Sequence, residues 1–166
     1  MDPLEAVFEL IVDEGGQGHM ILFQLDEGDL RRALIHPRVM IGSDGYALAP
    51  HGEMAGSKPH PRSYGTFPRV LGEYAREQRL LALPLAVHKM TGLPARRLGL
   101  RDRGVLRPGA RADVVVFDAR RVADVATYEN PHRYPEGIEY VIVNGRSVIK
   151  DGEHTGSLPG RLLTPP

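Results

Sequence analysis

The chain has 166 residues, of which 42% are hydrophobic and 25% are charged, as in an ordinary globular domain, and this composition excludes wholesale disorder. Positive and negative side chains balance to a formal net charge of zero, so there is no electrostatic basis for binding nucleic acid or an anionic membrane. Cysteine is absent, which excludes disulfides and thiolate metal sites.

The first predicted element is a helix at the N-terminus. Asp2 is a good cap residue, Pro3 suits the first helical position, and Gly15-Gly16 predicts the end of the helix. The apolar residues that recur at helical spacing are Leu4, Val7, Phe8 and Ile11. The segment has no basic region of a signal peptide, and no apolar run in the chain reaches the roughly 20 residues of a membrane span. We therefore expect a cytoplasmic protein.

Two short apolar runs follow and are predicted to be strands. Met20–Leu25 and Val39–Ile41 have the character of buried strands, and Leu30–Ile35 between them has that of a short helix. This alternation is typical of βα units around a buried parallel sheet. The next segment, Tyr46–Thr66, is rich in Gly, Pro, Ser and His and predicts a long loop, a feature that is commonly functional.

The remaining elements change from helix to strand near residue 100. The predicted helices are Phe67–Gln78, Pro84–Gly92 and Pro94–Leu98. The predicted strands are Asp113–Phe117, Ile138–Val143 and Ser147–Ile149. Asn144-Gly145 is the dipeptide that most favours a two-residue hairpin turn between the last two.

Both halves of the chain are small for the folds they suggest. A barrel of eight βα units needs about 250 residues, and a typical β-sandwich has about seven strands. Isolated βα units would also expose unpaired strand edges. We therefore expect the C-terminal piece of a longer or split enzyme, which pairs with a missing N-terminal segment or associates with itself through open strand edges.

The most suggestive polar residues are Asp44 and Arg62. Asp44 follows the strand predicted at Val39–Ile41, and parallel α/β barrels place catalytic groups at that end of a strand. Asp44-Gly45 is equally a common turn dipeptide, so both interpretations stay open on the pattern alone. Arg62 lies in the loop beyond the same strand end, where a guanidinium can bind a substrate carboxylate; its alternative is an ordinary surface arginine. The seven histidines are scattered without ligand spacing and predict no metal site.

At these residues the sequence resembles the D-aminoacylases (N-acyl-D-amino-acid deacylases), a branch of the amidohydrolase superfamily. The segments IGSDG (Ile41–Gly45) and KPHPRSYGTFPRVLG (Lys58–Gly72) carry the resemblance. Further similar segments are Leu85–Leu100, Asp102–Asp118, Tyr128–Gly145 and Asp151–Leu163.

The resemblance implies an α/β fold in which residues 1–100 form the last βα units and terminal helices of a TIM barrel. Residues 101–166 would then form the β-rich part of a small composite β-sandwich domain, with a C-terminal tail. Met20–Leu25 and Val39–Ile41 would be barrel strands seven and eight.

The resemblance also implies an activity and a role for each site residue. The family is a set of metal-dependent hydrolases in which a zinc-activated water attacks the amide of an N-acyl-D-amino acid. Asp44 matches the general base that passes the proton to the leaving amine, and Arg62 matches the arginine that binds the substrate carboxylate. The family's His-x-His and cysteine ligands are missing here. We therefore expect zinc in the full-length family and no zinc bound by this chain alone.

Two other functions remain open at this point. Open strand edges favour a non-catalytic remnant or assembly module that pairs with another chain. Another amidohydrolase activity, on cyclic imides or of the dihydroorotase kind, is the second alternative. The Arg62 loop favours a substrate with a free carboxylate over this last class.

Overall fold

The computed structural model of the chain describes residues 1–18, 20 and 22–164. Its helices precede residue 98 and its strands follow residue 113. The helices are α1 (Pro3–Asp13), α2 (Glu27–Ile35), α3 (Arg62–Arg69), α4 (Leu83–Met90) and α5 (Gly92–Arg97), with a 3-10 helix at Glu53–Gly56 and a π-helix at Val70–Glu77. The strands are β1 (Val114–Phe117), β2 (Ile138–Val143), β3 (Arg146–Lys150) and β4 (Glu153–His154).

The two helices predicted in the N-terminal part of the chain are both present. The Asp2 carboxylate accepts a hydrogen bond of 2.8 Å from the N–H of Leu4 at the start of α1. The Asp26 carboxylate accepts one of 3.1 Å from the N–H of Asp29, so α2 begins earlier than its apolar residues alone predicted. Helix α1 buries none of its residues, whereas α2 buries Leu34. Within the described ranges, no helix is long and apolar enough to cross a membrane.

The two predicted parallel strands are not formed. Met20 and residues 22–25 lie outside any strand, and Ile21 is outside the described residues. Val39–Ile41 is likewise not a strand; its one backbone hydrogen bond to another element joins the N–H of Ile41 to the carbonyl of Lys89, at 3.2 Å. A β-strand needs a neighbouring strand with which to form backbone hydrogen bonds. Within the described residues, neither run has such a neighbour.

A single helical rod replaces the end of the predicted loop and the helix after it. Helix α3 begins at Arg62 and continues without interruption into the π-helix Val70–Glu77. Pro68 lies inside α3, where a proline has no backbone N–H to donate and disfavours regular α-helical geometry. The wider π turns begin two residues later, as is typical of a helix that accommodates a local distortion.

The β-rich part is one antiparallel sheet with strand order β1-β2-β3-β4. The predicted hairpin is confirmed: Val143 pairs with Arg146 across Asn144-Gly145, whose φ angles of 49° and 78° suit a type I′ turn. A second tight turn at Asp151-Gly152 adds β4, which the sequence pattern did not predict. All strand pairs in the described part of the chain are antiparallel, so the expected parallel sheet is not formed within these residues.

The core lies where the helical rod meets the loop between β1 and β2. Val122 of that loop is fully buried, and the Arg76 guanidinium donates a 2.7 Å hydrogen bond to its carbonyl. Gly72 permits this contact, because a Cβ there would lie 2.6 Å from the Val122 carbonyl oxygen. The other buried apolar residues of the core are Leu34, Val70, Leu71, Tyr74, Ala75, Leu81 and Ala86.

Candidate functional site

Asp44 lies in a tight turn that packs against the start of α3. Its backbone is left-handed, with φ of 50°, a conformation that aspartate tolerates better than most residues. Gly45 follows, and a Cβ at this position would lie 2.8 Å from the Cα of Ser63. The turn can therefore approach the backbone of α3 this closely only with glycine at position 45.

Arg62 is the first residue of α3 and reaches back to Asp44. Its Nη2 atom is 2.8 Å from Oδ2 of Asp44, so the two predicted site residues form an ion pair. The side chains are 43% and 83% exposed respectively, which leaves the pair open to solvent. Exposed ion pairs of this kind contribute about 0–1 kcal/mol to stability, so another anion can compete for the guanidinium.

Two hydrogen bonds hold the turn and the helix together. The Ser63 hydroxyl accepts a 3.2 Å hydrogen bond from the N–H of Tyr46, which ties the residue after Gly45 to α3. The Thr66 hydroxyl lies 3.5 Å from the carbonyl of Ser43, the residue before Asp44, and can donate a hydrogen bond to it. These bonds fix the backbone on both sides of the ion pair.

His60 supports Arg62 from the preceding turn. Its Nδ1 accepts a 3.0 Å hydrogen bond from the N–H of Arg62, so the neutral ring carries its proton on Nε2. Nε2 lies 3.2 Å from the hydroxyl of Tyr128, a residue of the β1–β2 loop. Burial lowers the pKa of His60 below its ordinary value, the Arg62 cation lowers it further, and Asp44 partly offsets both.

A second histidine links the helical part to the same loop. The Tyr64 hydroxyl lies 2.9 Å from Nδ1 of His132, whose Nε2 donates to the carbonyl of Ser57 at 2.7 Å. Burial raises the pKa of the Tyr64 hydroxyl, and Tyr134 beside it adds to the rise. Sequence reasoning missed these pairs, because each joins residues far apart in the chain with no spacing signal.

The residues around Asp44 do not fit a metal ion. Within residues 1–18, 20 and 22–164, no three His, Cys, Asp or Glu side chains are grouped to hold one. Asp44 faces the Arg62 cation, and His60 already uses both ring nitrogens. A zinc ion needs three or four ligands, and this site offers one carboxylate beside a positive charge.

The described residues form a helical part followed by an antiparallel sheet, and the two predicted site residues, Asp44 and Arg62, are paired at the start of α3. The chain belongs to the amidohydrolase family, whose profile matches residues 1–149.

Two individual proteins are about half identical in sequence to this chain. The chain is 49% identical over 146 residues to the N-acyl-D-aspartate deacylase of Alcaligenes xylosoxydans xylosoxydans, covering 87% of this chain and 28% of that protein. It is 49% identical over 153 residues to the D-aminoacylase of the same organism, covering 92% and 30%. The chain thus spans less than a third of the length of these relatives.

Solved structures agree with the sequence comparison. A D-aminoacylase with a binuclear metal centre superimposes with a TM-score of 0.74 at 50% identity, covering 81% of this chain and 27% of that one. The N-acyl-D-glutamate deacylase of Bordetella bronchiseptica, complexed with zinc and a phosphonate mimic of the tetrahedral intermediate, gives 0.69 at 50% identity, covering 76% and 25%. The described residues therefore have the fold of the matching part of these amidohydrolases.

Proposed function

We propose that this chain supplies the proton-transfer and carboxylate-binding part of an enzyme that deacylates N-acyl-D-amino acids. The observation that carries the proposal is the Asp44–Arg62 pair, 2.8 Å apart, in a chain about half identical to several such deacylases. An acid and a guanidinium side by side suit a substrate that has an amide and a carboxylate on the same carbon.

Asp44 would move the proton. Hydrolysis forms a bond from a water oxygen to the amide carbonyl carbon and then breaks the carbon–nitrogen bond. The Asp44 carboxylate takes a proton from the attacking water and returns it to the departing nitrogen, so the products are a carboxylic acid and a free D-amino acid. Its exposure of 83% leaves this side chain accessible to such a substrate.

Arg62 would bind the carboxylate of the substrate. A guanidinium pairs with a carboxylate through two parallel hydrogen bonds, which fixes orientation as well as position. In the free chain Arg62 pairs with Asp44 instead. The incoming carboxylate then takes the place of Asp44 on the guanidinium and leaves Asp44 free beside the amide.

The chain would need further polypeptide to complete this site. The zinc-binding relative and the lack of a fitting ligand group in the described residues suggest that metal ligands come from residues that this chain does not provide. We propose that residues 1–100 contribute the last βα units and terminal helices of a TIM barrel, and residues 101–166 the β-rich part of a composite sandwich. The runs Met20–Leu25 and Val39–Ile41 would become strands seven and eight only beside barrel strands supplied from elsewhere.

Exposed apolar surface supports the proposed pairing. Leu4, Phe8 and Ile11 of α1 are each more than half exposed, although their spacing is that of a packed helix. A cavity of about 440 Å³, lined largely by apolar side chains that include Phe67, Leu71 and Phe117, lies open between helices and sheet. The same surfaces would serve the alternative function, a non-catalytic assembly module.

A chimera tests the proposed function. In it, the 30% of the Alcaligenes D-aminoacylase that matches this chain is replaced by this chain. We expect the chimera, loaded with zinc, to release amino acid from N-acetyl-D-amino acids and to leave cyclic imides intact. A folded, zinc-loaded chimera without deacylase activity would favour the assembly module, and cleavage of imides alone would favour the other amidohydrolase class.

A further inference from the structure

Lys89 is the one charged side chain in the described part of the chain that is fully buried, at 0% exposure. It lies in the last turn of α4. Its ammonium donates hydrogen bonds to two backbone carbonyls, that of His36 at 2.5 Å and that of Val39 at 2.8 Å. A fully buried lysine is rare unless its charge is compensated, so this placement calls for a reason.

The partners of Lys89 explain how the burial is tolerated. His36 is the C-cap of α2, where carbonyls lack helical partners and the helix dipole is negative. The Lys89 ammonium therefore caps α2 from a neighbouring helix, and its second bond closes the turn that ends at Val39. Both compensating groups are backbone dipoles, consistent with burial lowering the pKa of Lys89 below its ordinary value.

The backbone of Lys89 holds the same segment a second time. Its carbonyl accepts a 3.2 Å hydrogen bond from the N–H of Ile41. One residue of α4 thus fastens the chain at His36, Val39 and Ile41, and the turn that carries Asp44 begins directly afterwards. No strand ladder secures Val39–Ile41 in the described residues, so the bonds from Lys89 to Val39 and Ile41 are its main polar attachment to another element.

We infer that Lys89 is a positioning residue for Asp44, because it fixes the path of the segment that delivers Asp44 to Arg62. The Ser63 hydroxyl holds the far side of the turn at Tyr46, whereas Lys89 fixes the segment that leads into the turn. A lysine that only filled the core would affect all buried elements alike. A positioning lysine affects the segment from Val39 to Gly45 first.

Amide hydrogen exchange on the full chain separates these two roles. Lys89→Met keeps the length of the side chain and removes the donors, so we expect protection of the Ile41 amide to fall at least about tenfold relative to the amides of β2. The matched control is Val122→Ala, a change at another fully buried side chain. It should lower protection at both places to the same degree, and an equal fall at both places in Lys89→Met would overturn the inference.

A measurement on the unaltered chain covers the case in which Lys89→Met does not fold. The ammonium protons of Lys89 should exchange with water slowly enough to be seen by nitrogen-correlated NMR, with contacts to the His36 and Val39 backbone. The exposed Lys150 is the reference within the same spectrum. Exchange at Lys89 as fast as at Lys150 would contradict the inference without any variant.

A kinetic test in the chimera connects the position of Asp44 to turnover and rests on the proposed function. Lys89→Met should lower kcat at least about tenfold and leave KM nearly unchanged, because Arg62 keeps its place on α3. Lys89→Arg, which retains donors, should recover part of the loss. Retained turnover in Asp44→Asn would refute the proposed function alone, whereas retained kcat in Lys89→Met, with Asp44→Asn inactive, would refute the positioning role alone.

Discussion

The ion pair of Asp44 and Arg62 is notable for its accessibility to solvent, not for its contribution to stability. Both side chains are open to solvent, so the ion pair adds little to the stability of the fold. The backbone beneath them is more tightly specified, through the left-handed Asp44, the close approach of Gly45 to Ser63, and the bond from Tyr46. A rigid backbone under exposed charged groups is the arrangement expected of a site that receives a charged substrate.

The proposed carboxylate-binding role of Arg62 predicts that its replacement weakens substrate affinity. In the chimera, Arg62→Lys should raise KM for N-acetyl-D-amino acids about 10- to 100-fold with a much smaller change in kcat, because an ammonium cannot make the two parallel bonds of a guanidinium. Arg97→Lys, at an exposed arginine at the end of α5, is the matched control and should leave both constants unchanged. An unchanged KM in Arg62→Lys would rule out the carboxylate role.

The lowered pKa of His60 predicts a stability that depends on pH. The ordinary histidine pKa is 6.5, and burial with the nearby Arg62 cation lowers it in the folded chain. Above pH 6.5 both folded and unfolded states hold a neutral His60, and the full stability is present. As the pH falls below 6.5, the unfolded chain takes up the proton first, so the free energy of unfolding decreases.

Urea unfolding at several pH values, with an NMR titration of the His60 ring, measures this effect. His60→Gln should flatten the dependence of the urea midpoint on pH across the histidine range, because the replacement does not titrate. His51→Gln, at an exposed histidine of the same loop, is the control and should preserve it. A His60 ring that titrates above the ordinary value of 6.5 would contradict the structure.

The sequence alone identifies Asp44 and Arg62 as candidate site residues, but it does not identify the groups that hold them in place. The two residues stand in segments similar to a known family, and Asp44 follows an apolar run. His60 with Tyr128, and Lys89 with the carbonyls of His36 and Val39, meet only through the tertiary fold. A lysine inside a predicted helix carries no sign that it is buried, since most lysines are exposed.

At the scale of elements, the helical rod of α3 and the π-helix determines how the two halves meet. Gly65 and Gly72 lie on the side of the rod that contacts the β1–β2 loop, where a Cβ would meet Asp124 or Val122 at under 3 Å. Arg69 pairs with Asp124 at 3.2 Å, and Arg76 bonds the Val122 carbonyl. Small residues and arginines on one face therefore specify this junction.

The close approach at Gly72 predicts a large cost for one added methyl group. Gly72→Ala should lower the free energy of unfolding by about 1–3 kcal/mol, because its Cβ would sit 2.6 Å from a backbone carbonyl that cannot easily move. Gly160→Ala is the matched control, since nothing lies within 4 Å of its Cβ position. Equal stability of both variants in urea unfolding would contradict this junction of rod and loop.

Elements with strong local signals were predicted correctly, whereas the strand predicted at Val39–Ile41 is not formed. Capping residues predicted α1, and Asn144-Gly145 predicted the hairpin of β2 and β3, because both signals lie within a few residues. Val39–Ile41 has the composition of a strand and lacks the ladder. An apolar composition alone does not form a strand, because a strand also requires hydrogen-bonded neighbours.

At the scale of the whole molecule, the chain has a small core and a large apolar surface. Among the described residues the core cluster comprises eight buried side chains, whereas α1 and residues 22–25 leave Phe8, Leu22 and Phe23 mostly exposed. Large exposed apolar side chains are common at surfaces that contact other polypeptide. Together with coverage of less than a third of its relatives, this surface supports a chain that functions within a larger assembly.

The absence of a fitting ligand group in the described residues predicts how the isolated chain responds to chelation. EDTA should leave its melting temperature unchanged within about 1 °C, because no bound metal contributes to folding free energy. The zinc-loaded chimera is the positive control and should lose deacylase activity on the same treatment. A stoichiometric zinc content in the purified chain, with a fall in melting temperature on chelation, would contradict the proposed division of the site.

The central claim is that Asp44 transfers the proton, and kcat of the chimera with Asp44→Asn tests it most directly. An amide has nearly the same shape as a carboxylate and cannot act as the base, so we predict a fall in kcat of about 10²- to 10⁴-fold, with zinc content and KM nearly unchanged. A zinc-loaded Asp44→Asn chimera that keeps most of its kcat would contradict the claim.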